Sequence, residues 1–178
     1  SGARFDEQRL LWMNGSYIRQ QSVENLYQEC SSFFPPEADN YDSAYKIQVL
    51  GLIQERLKFF AEIPALTSFF FTEPAVDLSL ISGNKQLSKL PKEELVSLLT
   101  AAAESLATSD FTAEDLQTKL NILLETTGQK PGVLFSLIRI ATTWAPFSPS
   151  LAESMQVLGV TTTLSRLAKS IASIQSGY

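Results

Sequence analysis

Two arginines are the side chains in this sequence whose setting invites a chemical reading. Arg56 falls on a helical line with Tyr45, Val49, Ile53 and Phe60, and a guanidinium on an apolar helix face is costly unless it is paired, reaches water or opens onto a ligand. Arg139 is the only charged residue between Lys130 and Glu153, in a stretch that also carries Phe135, Trp144, Phe147 and a loop from Pro146 to Pro149. A lone cation among aromatic rings suits an unstacked nucleobase, with rings to stack on and a guanidinium to donate hydrogen bonds. It equally suits an arginine that packs two helices together.

Other reactive groups are excluded or explained. The chain has no histidine and one cysteine, Cys30, so Ser-His-Asp and Cys-His nucleophiles, histidine-containing zinc sites and an internal disulfide are all ruled out. No G-x-G-x-x-G or Walker pattern is present. The acidic pairs Glu93-Glu94 and Glu114-Asp115 lie where helices begin, and the helix dipole accounts for them without catalysis. No catalytic residue, metal ligand or cofactor loop is therefore expected.

The elements that must hold the two arginines repeat at helical spacing throughout, and no strand pattern stands out. The expectation is an all-α fold of two small helical subdomains, residues 1–81 and 82–178, with the break in Ser82-Gly83-Asn84. The first short helix runs from Phe5 to Met13 and stops at Asn14-Gly15, a helix-capping pair. Further helices cover Ser22 to about Ser31 and Asp42 to Ala61, ended by Ile63-Pro64. Beyond the break, Pro91 opens a helix that buries Leu95, Leu98, Leu99, Ala102 and Leu106. Thr112 caps one burying Leu116, Leu120, Leu123 and Leu124. Pro131 to Trp144, Ser150 to Leu158 and Thr161 to Ile174 follow, the last burying Leu164, Leu167, Ala168, Ile171 and Ile174.

The 178 residues carry a net charge of −5, which weighs against bulk electrostatic wrapping of nucleic acid. The segment after Pro131 holds Arg139, Arg166 and Lys169 against Glu153 alone, so a small basic end on an acidic body is a possible arrangement. One unpaired cysteine fits a reducing compartment, and no apolar run approaches the ~20 residues of a membrane helix. A start at Ser1-Gly2 without methionine is expected of an excised domain carrying the remnant of an expression tag.

The run from Phe5-Asp6 through Leu10-Leu11-Trp12-Met13-Asn14-Gly15 to Tyr17-Ile18 resembles the segment that follows the catalytic domain in glutamyl-tRNA synthetases. Leu52-Ile53-Gln54-Glu55-Arg56 with Pro64 is similar to that family's first anticodon helix. Leu137-Ile138-Arg139, Ser148-Pro149, Leu151, Leu158-Gly159 and Ser165-Arg166-Leu167 are similar to its terminal stretch. Trp144 and Ser150 depart from it, standing where glycine is common. The resemblance implies a helical cage that splays out the anticodon of tRNA(Glu). It implies that Arg56 reads the third anticodon base, as in the discriminating enzymes, and that Arg139, Ser148, Pro149 and Leu151 contact the other two. ATP and Mg would belong to a catalytic domain absent from the chain, which on its own would aminoacylate nothing. The implied partners are tRNA(Glu) and that catalytic domain, the implied state a monomer in the cytoplasm or, alternatively, an organelle matrix. A helical protein-protein interaction domain is the competing reading.

Overall fold

The computed structural model describes residues 2–178, without the side chains of residues 3–5. Ser1 and the side chain of Phe5, which opens the resemblance, therefore lie outside the described residues. All regular structure among the described residues is helical. The α-helices are α1 Gly2–Gln20, α2 Val23–Cys30, α3 Ser43–Ile53, α4 Ile63–Phe71, α5 Ser79–Ser82, α6 Lys92–Leu106, α7 Ala113–Thr127, α8 Pro131–Thr143, α9 Leu151–Leu158 and α10 Val160–Gly177, with four short 3₁₀ turns between them. They form two compact units, Ser1–Glu73 and Pro74–Tyr178.

The division falls ahead of the Ser82-Gly83-Asn84 boundary expected from sequence. Ile81 and Leu87, on either side of that polar triplet, are both fully buried in the core of the second unit. Turn-forming residues locate a bend in the chain, whereas membership of a core is decided by where the flanking apolar side chains are buried.

In the first unit, Ile18, Leu26, Leu50, Ile53, Leu57 and Ile63 pack together around Cys30. Burial pushes the Cys30 thiol up to about 11, because an apolar surrounding disfavours the thiolate. Two expected helix ends differ here. Helix α1 does not stop at Gly15 but continues to Gln20. A helical glycine costs about 1 kcal/mol, and complete burial of Ile18 one turn later outweighs it at roughly 2 kcal/mol.

Helix α3, conversely, ends at Ile53 rather than running to Ala61. The amide of Gln54 donates to the carbonyls of Ile18 (2.9 Å) and Gln21 (2.8 Å), closing the end of α1. Lys58 N–H is taken by Glu62 Oε2 at 2.8 Å, and the Lys58 carbonyl accepts from the amide of Asn14. The side chains of Glu62 and Asn14 thus satisfy the Lys58 backbone groups that a longer α3 would have satisfied itself.

In the second unit α10 packs on α6 and α8, and α7 on α6 and α9. The expected leucines of α6 are buried, as are Leu116, Leu120 and Leu123 of α7. Each contributes about 1.5–3 kcal/mol. Helix α10 departs from expectation: Ala168 is exposed, and Thr163, Arg166 and Ser170 are buried beside Leu167 and Ile174.

Candidate functional site

The polar stripe on α10 is explained by what it meets. Helix α8 ends inside the second unit, where its last residues are buried and no further helical turn follows to bond their carbonyls. Ile140 O accepts from Trp144 N–H at 2.7 Å. Ser170 Oγ donates to Ala141 O at 2.6 Å, and Arg166 Nη1 donates to Thr142 O at 3.0 Å. The Arg166 charge also sits at the negative end of the α8 dipole. Three successive carbonyls are capped, two of them by side chains from another helix.

Trp144 closes this arrangement. It takes the left-handed conformation, φ 44 and ψ 41, a conformation that glycine adopts at the least cost. Its indole is buried, and Nε1 donates to Ser170 Oγ at 3.0 Å. A buried ring with its N–H engaged is part of the core and is not a platform for a base. Phe147 is half-buried in the loop that follows, and half-buried Phe135 packs against the core.

Arg139 lies on α8 one turn before this end. It is half-buried, because its helix is covered on most sides. Its carbonyl accepts from the hydroxyls of Thr142 (3.2 Å) and Thr143 (2.8 Å). Ser148 is half-buried and donates to the Pro149 carbonyl at 3.1 Å; Pro149 itself is buried. Leu151 is only 6% exposed, so its side chain belongs to the core and it can meet a ligand only through its main chain. That is the first residue of α9, whose N-cap Ser150 makes no side-chain capping bond. Arg166, one of the three cations after Pro131, is buried, and Lys169 is exposed.

Arg56, in the first unit, stands differently from expectation. The apolar line of α3 continues from Ile53 to Leu57, both fully buried, and Arg56 is exposed in the turn beyond the helix. Its N–H closes onto Ile53 O at 3.0 Å. Burial therefore does not oblige Arg56 to find a partner. The turn carrying it is fixed by Gln54 on one side and by the Asn14–Lys58 bond on the other. This gives the Trp-Met-Asn-Gly run a structural role: Asn14 anchors the Arg56 turn, and buried Gly15 lets the Arg19 side chain pass where a Cβ would lie 3.0 Å from its Nη1. Trp12, 68% exposed, takes no part in the core.

Sequence reasoning missed Ser170 and the capping role of Arg166. Their signal was a polar spacing of three and four residues along α10, from Thr163 to Arg166 to Ser170, in register with Leu167 and Ile174. No group of three or more metal-binding side chains occurs among the described residues. No helix among the described residues is long and apolar enough to cross a membrane.

A model of a family described as anticodon binding domain matches residues 25–171. This chain belongs to that anticodon-binding domain family. It is 36% identical over 176 residues to a glutamate–tRNA ligase of Roseiflexus sp. (strain RS-1), covering 94% of this chain and 34% of the relative. It is 33% identical over 183 residues to a glutamate–tRNA ligase of Chloroflexus aurantiacus, covering 99% and 36%. The chain spans about a third of the length of the curated relatives it matches. A crystal structure of a glutamate tRNA ligase from Elizabethkingia meningosepticum shares the fold, with a TM-score of 0.76 at 24% identity over 92% of this chain and 32% of that one. The all-α architecture and the anticodon-binding assignment implied by the resemblance are thereby established.

Proposed function

We propose that this anticodon-binding domain recognises the anticodon of tRNA(Glu) as part of a glutamate–tRNA ligase of the discriminating type. The observation that carries this reading is the coincidence of the anticodon-binding match with similarity to glutamate–tRNA ligases along nearly the whole chain. The exposed position of Arg56 supports it. Cytosine offers N3 and O2 as acceptors, whereas guanine turns N–H donors toward the same fork. In the second unit, Arg139, Ser148 and the main chain at Pro149 and Leu151 would serve the other two anticodon bases.

Aminoacylation, with its ATP and Mg, belongs in this reading to a catalytic part outside the chain, and the domain alone catalyses nothing. Helix α1 supports attachment to such a part. Leu10, Leu11, Trp12, Met13 and Tyr17 are all exposed along it, more apolar surface than a solvated helix ordinarily carries. The ligase acts as a monomer in the cytoplasm or an organelle matrix.

The test is fluorescence anisotropy with a labelled anticodon stem-loop of tRNA(Glu), alongside the same loop with guanine in place of the third-position cytosine. The native loop should bind about tenfold more tightly, as one base contact of about 1–3 kcal/mol provides, and both affinities should fall with salt. Equal affinity for the two loops and for an unrelated hairpin would leave the protein-interaction reading in its place.

A further inference from the structure

The second unit contains a cavity of about 270 Å³ between α5 and the chain leaving α8, bounded by Ser79, Leu80, Asn84, Ile140, Ala145 and Pro146. None of the functional residues expected from sequence lines it. Its walls are apolar at Leu80, Ile140 and Pro146, and its polar groups are two neutral side chains, Ser79 and Asn84. No charged side chain is among its lining residues. A phosphate or carboxylate would find no cation there. A neutral, flat ligand with hydrogen-bonding edges would find both surfaces it needs.

The polar groups are held ready. Asn84 Oδ1 accepts from the N–H groups of Gln86 (2.9 Å) and Leu87 (3.0 Å), which fixes the side chain and leaves its amide Nδ2 as a donor. Ser79 Oγ donates to Asp77 Oδ1 at 2.5 Å, so the remaining valence of that oxygen is acceptor only. One oriented donor and one oriented acceptor are the minimum needed to read a base edge. Pockets for drug-sized ligands run from roughly 300 to 1,000 Å³, so this cavity suits a single ring system. It also adjoins Ala145 and Pro146, which lead directly into Phe147, Ser148 and Pro149.

We propose that this cavity is a nucleobase pocket that receives one unstacked base of the anticodon loop, with Leu80, Ile140 and Pro146 covering the ring and Asn84 and Ser79 reading its edge. The proposal rests on the anticodon reading above and adds to it a site on α5 and its following turn, and thus two specificity residues, Ser79 and Asn84. The base takes the place of water in the cavity, and its other edge faces the solvent or the neighbouring loop.

The experiment is a cycle of protein and RNA changes measured by anisotropy on the whole chain. Asn84→Ser retains an oxygen to accept the backbone N–H groups and removes the amide donor without adding charge. Ala145→Leu fills the cavity from the opposite wall. Each anticodon-loop nucleotide of the labelled stem-loop is replaced in turn by an abasic one. Wild-type chain should lose about tenfold in affinity at several loop positions. In both variants the loss at one and the same position should disappear, with the others unchanged and the thermal midpoint maintained. Variants that retain the wild-type pattern at every position would overturn the pocket while leaving anticodon recognition intact. A uniform weakening at all positions would also overturn it. A wild-type chain insensitive to every abasic position would instead refute the anticodon reading itself. Should Ala145→Leu not fold, Asn84→Ser with Ser79→Ala decides the outcome.

Discussion

Replacing Ser170 with alanine tests whether α10 holds the end of α8. Ser170 is 1% exposed, and its hydroxyl serves two buried groups, the Trp144 Nε1–H at 3.0 Å and the Ala141 carbonyl at 2.6 Å. Truncation leaves a buried donor and a buried acceptor without partners, each costing about 1–3 kcal/mol. Partial relaxation makes about 2–3 kcal/mol the expected total. The assay is urea unfolding followed by the helical circular-dichroism signal, which reports on every variant whether or not it retains a tryptophan. The decisive comparison is a cycle with Trp144→Phe, which removes the indole donor. In that background Ser170→Ala should cost about 1 kcal/mol less, because one of the two orphaned groups no longer exists. Trp144→Gly separates the other contributions: relief of the left-handed conformation returns about 1–2 kcal/mol, but loss of the buried ring costs about 3–5 kcal/mol, so the variant should be less stable. A cost below about 0.5 kcal/mol for Ser170→Ala, within the range of ordinary surface changes, or an absence of coupling to Trp144, would refute the reasoning.

Arg56→Gln in the full-length ligase should narrow the ratio of charging efficiencies for tRNA(Glu) and tRNA(Gln) by about 1–3 kcal/mol; because Arg56 is exposed, the melting temperature should not move, and an unchanged ratio excludes it as the discriminator. Arg139→Ala should weaken stem-loop binding by about 1–3 kcal/mol, whereas a lower melting temperature with unchanged binding would identify a packing arginine. For Cys30, the folded pKa of about 11 lies above the ordinary 9.0, so its contribution to stability is complete below pH 9 and is lost as pH rises through 11. Urea midpoints measured across that window should fall for wild type and stay flatter for Cys30→Ala, and equal slopes would contradict the burial.

The repeat of leucines at helical spacing in α6 and α7, the cap at Thr112, and the absence of any alternating strand pattern made the all-α fold legible from the sequence alone. These signals are local: each depends on residues within one or two turns, and the hydrophobic face needs only a neighbour to cover it. The Arg56 and Arg139 positions and the Trp-Met-Asn-Gly run were legible as well, as residue types at a spacing. What those residues do in the fold was decided by contacts between segments far apart in the chain. The sequence pattern carried α3 through Arg56, but Gln54 bonds to the end of α1 and Asn14 to Lys58, the helix ends at Ile53, and Arg56 lies exposed in the turn beyond it. Trp144 reads as an aromatic platform in sequence and is a core residue in the structure, because Ser170, 26 residues away, supplies the one partner its N–H needs. Asn84 reads as a linker residue, yet α8 supplies the opposite wall of the cavity it lines. Periodicity reports which side of an element is apolar; only packing decides which distant backbone group a polar side chain will meet, and therefore which side chains remain for a ligand.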